Sequence, residues 1–365
     1  MYKSSDRKTH ENSRVIISRQ LCGQGLSMAI LAFDVKLCQS LRNFEEGPTM
    51  SEFGYRTTAL EAIEGIDLTG KHAVVTGCYA GIGIETVRAL ASAGAKVTMA
   101  CRDEAKASKV AGELNQSLSV NLIDSGPLDL GSLASVRAFA EAYRADHDTL
   151  DILINNGAVM ACPQTSTSDG FEMQFGVNHL GHFCLTTELL PLLKNAHGAR
   201  VVCLSSTGHL RSPVVFDDIQ FENRDYDPWA SYGQAKTACS LFAVGIQNRY
   251  KDDGIEGFAV HPGGIMTTLQ RHMSGEDIES RGWVDSEGTV NERFKTVEQG
   301  ASTSVWAATS PDLAGLGGRY LEDCAEAEVI EGAPEFPKGV MQYAVDPALA
   351  DQLWQVSEAM IAAKT

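Results

Sequence analysis

The chain has 365 residues, 44% of them hydrophobic, and a formal net charge of −17. That length allows one large domain or two small ones, and the hydrophobic fraction suffices for a sizeable core. The acidic balance argues against a nucleic-acid surface, which needs a basic face. Nine cysteines lie scattered with no Cys-x-x-Cys pair, several inside apolar runs. They read as reduced, buried thiols of a cytoplasmic protein rather than as disulfides or a metal site.

Residues 1–49 stand apart, with seven Lys/Arg against five Asp/Glu. Their longest apolar stretch, Met28 to Phe33, is too short to span a bilayer. Asp34 and Lys36 interrupt before any clean signal-peptide cleavage site. The arm reads as a poorly ordered extension, with a true start at Met50 as an alternative.

From Met50 the pattern becomes regular. Lys71 to Thr76 is a short β-branched run after the Leu68-Thr69-Gly70 turn, and it suits a buried parallel strand. It runs into Thr76-Gly77-Cys78-Tyr79-Ala80-Gly81-Ile82-Gly83, followed by a helix from Ile84 to Ala93 that closes at Gly94. Glycines at such a turn let the backbone approach a pyrophosphate, which then sits at the helix's positive end. The next strand, Lys96 to Cys101, ends at Arg102, where an acidic residue would grip ribose hydroxyls. A guanidinium there suits a 2′-phosphate, which favours NADP(H), with NAD(H) as the alternative cofactor.

A helix over Glu104 to Ser117, a strand over Ser119 to Ile123 and a strand-end loop over Pro127 to Leu130 follow. Helix Leu133 to His147 then precedes strand Leu150 to Ile154, which ends in Asn155-Asn156-Gly157-Ala158. This alternation predicts an α/β protein: one Rossmann-type domain over residues 50–365, with a doubly wound parallel sheet of about seven strands and helices on both faces. Ligands of such sheets bind at the carboxyl ends of the strands.

A helix around Phe171 to Val177 leads to Asn178-His179-Leu180-Gly181-His182 and a helix over Cys184 to Lys194. Strand Arg200 to Leu204 then delivers Ser205-Ser206-Thr207. Tyr232 and Lys236, four residues apart, share one face of a helix that continues to about Tyr250. A phenol ionises near pH ~10, and a fixed ammonium beside it brings it toward the working range. Strand Glu256 to Val260 ends in His261-Pro262-Gly263-Gly264, with Thr267 close behind.

With these motifs in this order, the chain from about Ile66 onward resembles the short-chain dehydrogenase/reductase family, most closely its retinol dehydrogenase-like branch. The resemblance implies hydride exchange between a nicotinamide and a carbonyl or alcohol carbon. It implies a catalytic tetrad of Asn178, Ser206, Tyr232 and Lys236. Tyr232 would be the acid or base, Lys236 would hold the nicotinamide ribose, Ser206 would bind the reacting oxygen, and Asn178 would support a proton relay through its backbone. Gly77, Tyr79, Ala80, Gly81, Ile82 and Gly83 would form the cofactor turn. Asp129 and Leu130 would meet the adenine, Asn156, Gly157 and Ala158 the adenosine ribose, and Pro262, Gly263 and Thr267 the nicotinamide end.

Two departures stand out. The family's Asn-Asn-Ala-Gly turn has its last two residues exchanged, as Gly157-Ala158. Ser206 and Tyr232 are 26 residues apart, a lengthening shared with the retinol dehydrogenase-like branch. Residues 269–291, with Met273, Ile278, Trp283 and Val284, read as an apolar lid over a small apolar substrate or as a surface loop. Residues 322–337 read as an acidic loop. His179, His182, His209 and His261 lack metal spacing and read as structural. The helices Cys184 to Lys194 and Ala235 to Tyr250 could pair chains into a homo-dimer or homo-tetramer. An NADP(H)-binding sensor that turns nothing over is the alternative to an enzyme.

Overall fold

The computed structural model describes residues 53–332, 334 and 338–364; the expectations for residues 1–49 lie outside the described residues. Strands and helices alternate as β1 (His72–Thr76), α1 (Ile82–Ser92), β2 (Lys96–Cys101), α2 (Glu104–Leu118), β3 (Ile123–Pro127), α3 (Leu133–Asp146), β4 (Ile152–Asn155) and α4 (Gly181–Asn195). They continue as β5 (Arg200–Leu204), α5 (Pro228–Tyr250), β6 (Glu256–His261), α6 (Val297–Thr309), β7 (Tyr320–Glu322) and β8 (Ala325–Glu326). Short strands β9 (Val329–Ile330) and β10 (Val340–Met341) pair with each other, and α7 (Pro347–Ala362) closes the chain.

The main sheet has the order β3-β2-β1-β4-β5-β6-β7-β8 and is parallel through β7. The eighth strand exceeds the expected seven because the acidic stretch after Glu322 turns back on itself. Asp323 and Cys324, both at positive φ, make a two-residue turn that pairs Glu322 with Ala325, as a tight hairpin requires. Strand β3 also lies four residues beyond the expected Ser119–Ile123. Ser119 takes a left-handed conformation at the end of α2, and the Asn115 side chain holds the backbone of Leu122 and Ile123 before the strand begins. The expected helix over 171–177 is one turn, Met173–Phe175, followed by a π-turn over Gly176–Leu180 that runs into α4.

Each strand feeds two cores because successive side chains point to opposite faces. Val74 and Val201 join the layer under α3, α4, α5 and α7, while their neighbours Val75 and Val202 join the layer under α1, α2 and α6. Full burial of such a side chain contributes roughly 1.5–3 kcal/mol, so a one-residue slip of register would be costly. Every residue of α5 from Ser231 to Ile246 is buried, so this helix is a fixed mount rather than a surface element. Its outer side is covered by α7, where Trp354 packs on Phe242 and Tyr250 and lies 3.0 Å from where a Cβ would stand at Gly245. That contact occupies a face expected to pair chains. The strand order reverses between β1 and β4, which opens a crevice at their carboxyl ends.

Candidate active site

A cavity of about 1490 Å³ fills that crevice and extends along the carboxyl ends of β5 and β6. Its first wall is the turn after β1. Gly77 and Gly81 both hold positive φ, 61° and 62°, a conformation that glycine adopts without strain. Gly81 caps α1 with no side-chain hydrogen bond, so the positive end of the helix opens on the cavity. A Cβ at Gly81 would come within 3.3 Å of Thr267 Cγ2 and close the gap between the two walls. An uncapped helix end beside a slot kept clear by glycine fits the pyrophosphate of a dinucleotide.

The second turn, after β4, is bound to the first. A Cβ at Gly77 would lie 2.6 Å from Gly157 Cα, and one at Gly157 would lie 2.8 Å from Leu130 Cδ1. The exchanged Gly157-Ala158 order therefore matches a close approach of two backbones. The Thr76 hydroxyl accepts from the amides of Asn156 at 3.0 Å and Gly157 at 2.9 Å. It donates in turn to His182 Nε2 at 2.8 Å. His182 Nδ1 donates to the Asn178 carbonyl at 2.9 Å. Burial pushes the His182 pKa down to about 4, so the ring is neutral with its proton on Nδ1. Sequence reasoning made this histidine merely structural. Its spacing of four from Asn178 was the available signal.

Asn178 sits in the π-turn, behind the cavity wall rather than on it. Its side chain accepts from Val159 N at 2.8 Å and donates to Val159 O at 2.9 Å. Its carbonyl accepts from His182 and, at 3.2 Å, from Cys239 Sγ. Gly83 also lies off the cavity, packed where a Cβ would strike Cys78. The remaining expected cofactor residues line the cavity: Tyr79, Ala80 and Ile82 beside the glycines, Asp129 and Leu130 after β3, Ala158 after β4, and Pro262, Gly263 and Thr267 after β6.

Arg102 lies exposed at the end of β2 and borders the cavity with Lys106, one turn further on. Lys106 is paired with Asp103 at 2.7 Å, whereas Arg102 has no carboxylate within ion-pair distance among the described residues.

At the other end, α5 brings Tyr232 and Lys236 into the wall, with the Lys236 Nζ 5.7 Å from the centre of the phenol ring. That ammonium donates to the Leu204 carbonyl at 2.7 Å, which fixes it against the end of β5. Ser205 donates to the Lys236 carbonyl at 2.9 Å, so its hydroxyl serves the helix. Ser206 caps the turn Thr207–Arg211, and its Oγ accepts from Gly208 N at 3.0 Å. Gly208 is a residue that the sequence did not single out. A Cβ there would lie 2.7 Å from Tyr232 Cδ1 and Cε1 and 3.5 Å from Ser206 Oγ. Ser206 and the Tyr232 ring thus flank one bare backbone position.

The same turn is anchored from behind by His209. Its Nε2 accepts from Met341 N at 3.2 Å and its Nδ1 donates to the Ser206 carbonyl at 2.6 Å. Burial lowers its pKa to about 4, which keeps both bonds. The segment 269–291 borders the cavity through Leu269, Gln270, Arg271, Arg281, Trp283 and Asn291. Of its four expected apolar residues, Trp283 alone reaches the wall.

Comparison with known proteins agrees with this geometry. A family model described as short chain dehydrogenase matches residues 71–277. A Streptomyces lividans protein named "Probable oxidoreductase" is 47% identical over 293 residues, covering 80% of this chain and 97% of that protein. Retinol dehydrogenase 14 of Mus musculus is 38% identical over 308 residues, covering 80% of this chain and 86% of its own. A crystal structure of an uncharacterized protein from Mycobacterium Paratuberculosis superposes with a TM-score of 0.63 at 31% identity, covering 84% of this chain and 98% of that one. The chain belongs to the short-chain dehydrogenase/reductase family, within its retinol dehydrogenase-like part, and is an NAD(P)-dependent oxidoreductase acting on CH–OH or C=O groups.

Proposed function

We propose that the protein is an NADP(H)-dependent reductase or dehydrogenase of a small, largely apolar carbonyl or alcohol, with Tyr232 as the proton donor or acceptor. The bound nicotinamide would supply or accept the hydride. The carrying observation is the shared bare position at Gly208, which sets Ser206 Oγ and the Tyr232 ring on the same side of the cavity. An oxygen placed there can be held by the Ser206 hydroxyl while the phenol gives or takes its proton. The Lys236 ammonium, 5.7 Å from the phenol ring centre, would favour negative charge on the phenol oxygen, and the N–H groups not given to the Leu204 carbonyl would hold ribose hydroxyls. Asn178 acts at one remove: it grips Val159 and, through His182 and Thr76, the turn that carries Asn156 and Gly157. Residues 269–291 serve as the substrate lid.

Arg102 supports the 2′-phosphate preference because its guanidinium is free of a carboxylate where the adenosine end must lie. Arg102→Ala should raise the Kd of NADPH about tenfold while leaving that of NADH within about twofold. Equal losses for the two would remove the phosphate role. Tyr232→Phe should lower kcat by at least about 10²–10⁴-fold with cofactor Kd nearly unchanged, as read by fluorescence titration and absorbance at 340 nm. A variant that kept most of its activity would end the acid–base assignment. Among the described residues no helix is long and apolar enough to cross a membrane. Among the described residues the buried cysteines Cys78, Cys101, Cys162, Cys184, Cys203 and Cys239 form no disulfide, which supports a reducing, cytoplasmic setting.

A further inference from the structure

The described chain has thirteen arginines, and seven of them form ion pairs with carboxylates: Arg88, Arg137, Arg144, Arg200, Arg224, Arg249 and Arg319. The others are Arg56, Arg102, Arg211, Arg271, Arg281 and Arg293, and all but Arg56 line the large cavity. Arg102 belongs to the adenosine end. The other four gather at the opposite end, on the turn after Ser206 and on the segment 269–294.

The carboxylates of the cavity do not neutralise them. Asp323 is taken by Lys295 at 2.7 Å, and Asp129 by the amide of Gly131 at 2.9 Å. Glu322 is buried, which raises its pKa and favours its neutral form, and it accepts from Gly339 N at 3.0 Å. At one mouth of its cavity a chain with a formal net charge of −17 thus gathers four guanidinium groups that have no carboxylate within ion-pair distance among the described residues, with Asp277, one turn before Arg281, acting on it through its charge alone.

The placement is specific. Trp229 stands edge-on to Tyr232, with ring centres 6.3 Å apart. The Arg281 guanidinium lies 4.2 Å from the centre of the Trp229 ring and that of Arg211 lies 5.4 Å from it. Trp283 abuts Trp229 at 6.2 Å, and Phe294 abuts Trp283 at 5.7 Å. An aromatic wall therefore runs from the proposed proton donor through Trp229 and Trp283 to Phe294, and two guanidinium groups lie over its second ring, Trp229. Stacking on an indole strips water from one face of a guanidinium and leaves its N–H edge free for a bidentate oxyanion.

We propose that the substrate is an amphipathic anion: an apolar, preferably aromatic body with its carbonyl or alcohol at Tyr232 and a carboxylate or phosphate beyond it, held by Arg281 and Arg211. This rests on the assignment of Tyr232 as the reacting end. The lid selects for charge as well as for oiliness, and Arg271 and Arg293 extend the attraction outward. Exposed charges are screened by salt, so the preference weakens as ionic strength rises.

The test uses the full chain saturated with NADPH and three probes: 4′-formylbiphenyl-4-carboxylic acid, its methyl ester, and the corresponding aryl phosphate. Binding is read from the quenching of tryptophan fluorescence, and turnover at 340 nm. The acid should bind at least about fivefold more tightly than the ester. In Arg211→Ala/Arg281→Ala that ratio should fall to about one, and in Arg281→Lys it should fall only in part. Both side chains are exposed, and an unchanged far-UV spectrum would show that the double variant is folded. A stronger response from the phosphate than from the acid would assign the site to phosphorylated substrates, and the reverse to carboxylates. Equal binding of acid and ester by the native protein would overturn the inference. Tight, arginine-dependent binding of the acid without turnover of any probe would leave the anion site standing and count against Tyr232 as the reacting end.

Discussion

At the ends of β1 and β4 the cavity wall is backbone, buried and tied down. A Cβ on Gly77 would lie 2.6 Å from the Gly157 Cα, the Thr76 hydroxyl uses its donor and both lone pairs, and His182 passes that order on to Asn178. Across the cavity, residues 268–294 present side chains from a 3₁₀ turn, a six-residue helix and one isolated bridge. Neither of those short helices buries more than Gln270. On the proposed reading, a cofactor common to many enzymes is met by the buried, hydrogen-bonded wall and the variable substrate by the thinly packed one. The difference follows from where each wall sits, since strand ends inherit the rigidity of the sheet and a long connection does not.

The sharpest way to break that contrast is to disturb the rigid wall beside the chemistry. Gly208→Ala would force a methyl group to within 2.7 Å of the Tyr232 ring. The ring cannot retreat easily, because α5 is buried along that whole stretch. We expect kcat to fall about 10²-fold through misplacement of the phenol, with cofactor Kd little changed. If kcat stayed within threefold, Tyr232 would have to be mobile, and the rigid half would not extend to the acid–base residue.

That same position marks the limit of what the sequence discloses. The glycine turn, the Asn155–Ala158 turn, the serine and the Tyr232/Lys236 pair were all legible, because each is a local pattern beside a strand or helix whose period is strong. Gly208 was not, since its role is set by a ring 24 residues away, and nothing local to residue 208 encodes that contact. The Thr76–His182–Asn178 chain was hidden for the same reason, as its members come from three elements. Strand β3 was misplaced because Asn115, a helix side chain, captures the backbone that looked most strand-like. The arginine cluster stayed invisible because a count of −17 averages over the whole surface and says nothing of where the positive charges gather.

A second test reads the rigid half through acid. His182 and His209 have pKa values held near 4 by burial, while an unfolded chain would titrate them near ~6.5. Between those values the unfolded state binds more protons, so the free energy of unfolding falls as pH drops through that window and is fully present above it. These two, together with His179 and His261, which burial holds at about 3, predict a loss of at least a few kcal/mol between pH 7.5 and pH 4.5, measured by urea titration. His182→Gln, which keeps a neutral polar group, should flatten part of that slope. A stability unchanged across the window would mean that these rings are charged in the native state, and the hydrogen-bond directions given above would be wrong.

The smallest effect belongs to the other wall. Trp283 is half-buried and meets only Trp229 and Phe294 among the rings. Trp283→Ala should cost less than about 1 kcal/mol of stability, since the segment it sits on contributes little to either core. Its loss should instead raise KM for apolar aldehydes several-fold, roughly the worth of one aromatic contact in a partly wet site, with kcat held. A large fall in melting temperature with little change in KM would invert the contrast. Residues 268–294 would then be part of the structural frame, and substrate selection would have to be sought on the turn after β5, where Arg211 and Trp229 meet.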